Sequence, residues 1–80
     1  MTERLHLSLL GKICRHYRAT ESIEFANDGR TVERISVYAY PGALGDAYAA
    51  LRDAGASPQR KRDNHSFYLE IPVDRIDCRY

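Results

Sequence analysis

The sequence predicts a small α+β domain with a mainly antiparallel sheet of three to four strands and one or two helices. Three observations predict it. In residues 35–40, Ile35, Val37 and Ala39 point to one side of a strand and Ser36, Tyr38 and Tyr40 to the other. Residues 66–71 repeat the scheme, with Phe67, Leu69 and Ile71 on the apolar side and Ser66, Tyr68 and Glu70 opposite. Between these runs, Leu44, Ala47, Tyr48, Leu51 and Ala54 fall at helical spacing. Helices kept apart from a run of hairpin-like strands make the class α+β rather than alternating α/β.

Taken in order, residues 2–18 admit two readings. Leu5, Leu9 and Ile13 recur every fourth residue, with Leu10, Cys14 and Tyr17 beside them, which makes one apolar helical face. Thr2 is placed to cap such a helix, and Arg15, His16 and Arg18 suit its C-terminus. A hairpin turning at Gly11-Lys12 is the other reading, but it mixes polar and apolar groups on one face, so the helix is preferred. Residues 21–40 read as a hairpin, with strands over 21–26 and 31–40 around the turn Asn27-Asp28-Gly29-Arg30. Val32 and Ile35 have opposite parity, which calls for a bulge near Glu33-Arg34. Pro41-Gly42 stops that strand, and a helix follows over 43–54. Gly55 stands where a left-handed helix end belongs. Residues 57–64 are polar, contain Pro58, and read as a loop. Pro72 ends the Phe67 strand, and residues 73–80 form a tail that can add a last edge strand. The expected order is α-β-β-α-β with an optional final strand, in a single domain over residues 1–80.

Size and composition narrow the function. A chain of 80 residues buries only about 60% of its unfolded surface, so its core is small. With 44% hydrophobic and 29% charged residues the chain belongs with folded domains rather than disordered ones. Twelve basic residues against eleven acidic ones is not the balance of a dedicated duplex-DNA binder, which usually neutralises many phosphates. No run approaches the ~20 apolar residues of a membrane span. The opening Met1-Thr2-Glu3-Arg4-Leu5 has no basic leader, and the expected location is the cytoplasm. Cys14 and Cys78 are expected as reduced thiols there, a single bridge being the alternative.

Catalytic and metal signatures are not expected. His6, His16, His65 and the two cysteines lack the close Cys or His pairs of a zinc site. Cys14 and His16 are two residues apart and cannot face one another on a helix. The carboxylates are scattered, and Gly42 and Gly45 lack the spacing of a phosphate loop. No cofactor is expected.

What remains is a contact surface. Six tyrosines among 80 residues is a high share, and Tyr favours interfaces because it offers area and a hydroxyl at low entropic cost. Tyr38, Tyr40 and Tyr68 share a sheet face on this reading, which is either open for recognition or covered by the first helix. Arg60-Lys61-Arg62 is the one charge run, either a solvated loop or a contact for phosphate or an acidic partner. These six residues are the candidate partner-binding set.

In overall format the chain resembles the small phage-encoded inhibitors of bacterial defence, the anti-CRISPR proteins. The likeness rests on a one-domain α+β chain from Met1 to Tyr80, rich in Tyr and Arg, with an Ala-rich second helix and no catalytic motif. The resemblance implies a non-enzymatic mechanism, occlusion of a nucleic-acid-binding surface on a Cas protein within a surveillance complex. It implies a larger protein complex as partner, with the inhibitor a monomer or homodimer in the host cytoplasm. The competing reading is a small RNA or single-strand binder. Such a binder stacks bases on Tyr38, Tyr40 and Tyr68 and clamps phosphate with Arg60, Lys61 and Arg62.

Overall fold

The computed structural model of the chain describes residues 4–77. A short strand β1 (Leu5–His6) leads into helix α1 (Leu7–His16). Two strands follow, β2 (Thr20–Phe25) and β3 (Val32–Tyr38), then helix α2 (Pro41–Asp53). The hairpin of β4 (Gln59–Arg62) and β5 (Phe67–Ile71) comes next, then a single 3-10 turn (Val73–Arg75) and β6 (Ile76–Asp77). The main sheet has the order β2-β3-β5-β4 with every neighbouring pair antiparallel. The class is α+β, as the sequence predicts.

The helix reading of the first segment holds, with different ends and with Leu9 turned outward. α1 begins at Leu7, and Leu5–His6 is extended. The start is fixed by His6, whose Nδ1 accepts the Ser8 N–H at 3.2 Å. The expected cap Thr2 lies outside the described residues. Because the helix begins later, its inward stripe is Leu7, Leu10 and Cys14, while Leu9 stays 45% exposed. Of the expected face, Leu10, Cys14, Ile13 and Tyr17 do turn toward the core, and Leu5 and Leu9 are corrected. Leu5 joins the core from a strand, and Ile13 only flanks it.

The bulge falls where parity requires it. Arg34 pairs with Glu24 and Val32 with Phe25, so Glu33 is the extra residue. Ile35 and Val37 then face the helices together with Leu69 and Ile71 of β5, all of them buried. Leu10, Cys14, Ala47 and Leu51 close the core from the helices.

Along the rest of the chain one expectation is corrected and the optional final strand finds its partner. Residues 57–64, expected as a loop, contain β4, an edge strand whose four residues are all exposed. The hairpin is closed by Asp63, whose Oδ1 accepts the N–H groups of His65 and Ser66 at 2.8 and 2.7 Å. The optional final strand is present as β6, and among the described residues it lies outside the main sheet. Ile76–Asp77 pairs in parallel with Leu5–His6, forming a separate clasp whose Leu5 and Ile76 are buried.

Both helices end in the same way. After α2, Gly55 takes φ +91°, with Gly55 N–H donating to Arg52 and Ala56 N–H to Leu51. After α1, Arg18 N–H donates to Arg15 and Ala19 N–H to Cys14, but the left-handed residue is Arg18 at φ +55°. A side chain there costs about 1 kcal/mol relative to glycine. Arg18→Gly is expected to raise stability by roughly 0.5–1 kcal/mol in urea denaturation. A loss would show that the arginine side chain has a compensating contact.

Candidate functional surface

The six residues singled out from the sequence divide between two faces of the sheet. Alternation along β4 against β5 decides the split. Lys61 stands opposite Tyr68 on the face away from the helices, while Arg60 and Arg62 stand opposite Leu69 and Phe67 on the helix side. Tyr38 and Tyr68 share the helix-free face. Tyr40 lies past the end of β3, at the residue that precedes α2.

On the helix-free face the tyrosines are held by the protein itself. Tyr68 is only 8% exposed, although no helix covers it. Its ring stacks on Tyr38 with centroids 5.4 Å apart at 26°. Its hydroxyl accepts from the Arg34 guanidinium at 2.6 Å, and the Arg34 Cζ lies 5.6 Å from the ring centroid. Arg34 Nε also sits 3.0 Å from Glu70 Oε1, at an angle that makes this an ion pair rather than an aligned hydrogen bond. Arg34 was not singled out in the sequence. The signal was its parity, two residues before Ser36 and four before Tyr38 on one face of one strand. A shallow hollow of about 410 Å³ beside this group is lined by Arg34, Lys61, Tyr68, Glu70, Pro72 and Val73, among others.

A larger cleft, about 640 Å³, opens on the other side between the start of α2 and the β4–β5 hairpin. Pro41, Leu44 and Gly45 form its helix wall, and Arg60, Arg62, His65 and Phe67 the hairpin wall. Phe67 is 59% exposed despite its inward parity, because it borders the open cleft. Arg62 lies over the Phe67 ring at 5.4 Å from its centroid, and Arg60 over Tyr48 of α2 at 4.7 Å. These contacts hold the two guanidinium groups along the cleft. Tyr40, 78% exposed, stands between Ala39 and Pro41, which both line it. The start of α2 adds the positive end of a helix dipole, with no acidic residue in its first turn. The cleft thus joins an exposed ring, Phe67, to positive charge, the chemistry that pairs with carboxylates, phosphates or stacked bases.

Beneath α1, Glu21 reaches the helix where Gly11 leaves room. A Cβ at Gly11 would meet Glu21 Oε1 at 3.3 Å. Burial pushes the Cys14 thiol up to about 12, and the charge of Glu21 and its hydrogen bond to the thiol act in the same direction. Cys14 is a free, fully buried thiol, and Cys78 lies outside the described residues. Such a group is structural rather than nucleophilic. In a Cys78→Ala background, Cys14 is expected to react with a thiol reagent at pH 8 at least about a hundredfold more slowly than in the unfolded chain. The unfolded thiol loses its proton near pH 8.5–9 and the folded one only near 12. The unfolded state therefore binds fewer protons in between, and stability falls across that window by up to ~1.4 kcal/mol per pH unit. A Cys14→Ala variant should lack this slope.

Among the described residues, no group of three or more His, Cys, Asp or Glu side chains is placed to hold a metal ion. No helix among them is long and apolar enough to cross a membrane. No family model, no curated protein and no solved structure matches this chain.

Proposed function

We propose that this chain is a non-enzymatic binding protein that docks on a larger macromolecular complex and blocks it, in the manner of an anti-CRISPR inhibitor covering a nucleic-acid-binding surface of a Cas protein. The observation that supports this is the cleft beside the β4–β5 hairpin, where Phe67 stands exposed next to Arg60 and Arg62 and the exposed Tyr40 follows Ala39 at the rim. Aromatic and Arg anchors around a recess have the composition of interface hot spots. The cationic lining directs docking to acidic or phosphate-bearing groups of the complex, so occlusion works by bulk and not by phosphate mimicry.

The test is target-DNA binding by purified surveillance complexes in the presence of this protein. Stoichiometric protein is expected to suppress binding. The Arg60→Glu/Arg62→Glu variant should need roughly ten- to a hundredfold more protein for the same suppression. Undiminished target binding at large excess across the complexes would overturn the reading.

A second reading is favoured by one feature of the same cleft. Phe67 offers a stacking face within reach of Arg60, Arg62 and His65, which suits a single-stranded nucleic acid. Labelled RNA in a salt series separates the two. Three phosphate contacts give a logarithmic salt slope near −2, and no measurable RNA binding at low salt removes this reading.

A further inference from the structure

The two outer strands of the main sheet carry opposite charge. β2 presents the exposed Glu24, with Glu21 turned beneath α1, and β4 presents Arg60, Lys61 and Arg62. Each is the terminal strand of the sheet and pairs on one side only among the described residues. Unpaired edges are ready templates for another strand, and charge is the usual device that keeps like edges apart. Here that device is one-sided. A β4–β4 contact gathers six cations and a β2–β2 contact brings the two Glu24 carboxylates together, whereas a β2–β4 contact joins opposite signs.

Direction and face also agree. With every neighbouring pair antiparallel in the order β2-β3-β5-β4, the two outer strands run in opposite directions. A second copy shifted sideways without inversion therefore sets its β2 antiparallel to the first copy's β4. Lys61 shares the helix-free face with Ser22 and Glu24, and Arg60 and Arg62 share the helix face with Glu21 and Ile23. The register that sets Lys61 opposite Glu24 pairs opposite charges directly on the helix-free face. A net charge of +1 does not hold copies apart.

We infer that this protein associates with further copies of itself edge to edge, the acidic β2 of one copy against the basic β4 of the next. The interface is heterologous, so it leaves a free edge at each end and extends with concentration instead of closing at a dimer. This inference is independent of the docking function proposed above.

Sedimentation velocity over a protein concentration series tests it, at about 20 mM and about 500 mM salt, where screening lengths differ several-fold. The expected result is a weight-average mass that climbs past twice the monomer at low salt and returns to the monomer at high salt. Glu24→Lys alone, and Lys61→Glu/Arg62→Glu alone, should each be monomeric at low salt with an unchanged far-ultraviolet spectrum. An equimolar mixture of the two should associate again, because each supplies the charge that the other lacks. A monomer at every concentration in low salt overturns the inference. So does a mass that saturates at the dimer, association indifferent to salt or to the charge reversals, or a mixture that stays monomeric.

Discussion

Tyr68→Ala is expected to lower stability by about 3 kcal/mol, and with it the melting temperature by on the order of 15 °C. The substitution removes a ring that is 8% exposed, dissolves the stack on Tyr38, and leaves the Arg34 guanidinium without the hydroxyl it meets at 2.6 Å. Tyr68→Phe separates the parts. It keeps the ring and its stack and loses only the hydroxyl, at a cost of about 1 kcal/mol. Tyr40→Ala, at a position 78% exposed, should change stability by no more than ~0.5 kcal/mol. Thermal melts of the three variants check this ordering. Equal melting of Tyr68→Ala and the parent would show that the ring is not held as described, and the helix-free face would return as the first candidate for recognition.

The second large effect belongs to the core. Leu51 is fully buried where α2 meets the sheet, beside Ala47 of the same helix. Leu51→Ala is expected to cost about 3 kcal/mol, the transfer of the lost atoms plus the void they leave. In a domain this small that is a large part of the total stability. Leu9→Ala is the matched control, since Leu9 is 45% exposed on the outer side of α1. It should cost less than ~1 kcal/mol. Urea midpoints for the pair read out which leucines form the core. A Leu9→Ala loss equal to that of Leu51→Ala would contradict the orientation of α1.

Much of this architecture is legible in the residues, and the failures have physical causes. Ile35, Val37, Leu69 and Ile71 declare their side of the sheet by alternation, because one face is covered by helices and the other is not. The bulge at Glu33 is readable because Val32 and Ile35 cannot both face inward on a regular strand. β4 is invisible to the same reasoning. As an edge strand of Gln59, Arg60, Lys61 and Arg62 it buries no apolar side chain, and its pairing comes from the backbone and from guanidinium groups laid on Tyr48 and Phe67. The signal that could have found it is the turn. Asp63 with Ser66 three residues on, just before a clear strand, is the same device that Asp28 and Thr31 use in the first hairpin. There, the N–H groups of Arg30 and Thr31 and the Thr31 hydroxyl together hold the Asp28 carboxyl down at about 2.

The candidate surface is legible in residue type but not in arrangement. Tyr38, Tyr40, Tyr68, Arg60, Lys61 and Arg62 read as one patch only while residues 57–64 are taken as a loop free to approach the tyrosines. Once Arg60 and Arg62 belong to a strand, parity sends them to the opposite face from Tyr38 and Tyr68. Of the run only Lys61 stays beside Tyr68, and it is Arg34 that donates to the Tyr68 hydroxyl.

The pairing of Leu5–His6 with Ile76–Asp77 has a consequence for how the molecule assembles. Both hairpins join neighbours in the chain and can zip up early, whereas the clasp must wait until nearly the whole polypeptide has been gathered. It is therefore the last piece to lock, a latch set by the finished body rather than a seed for it.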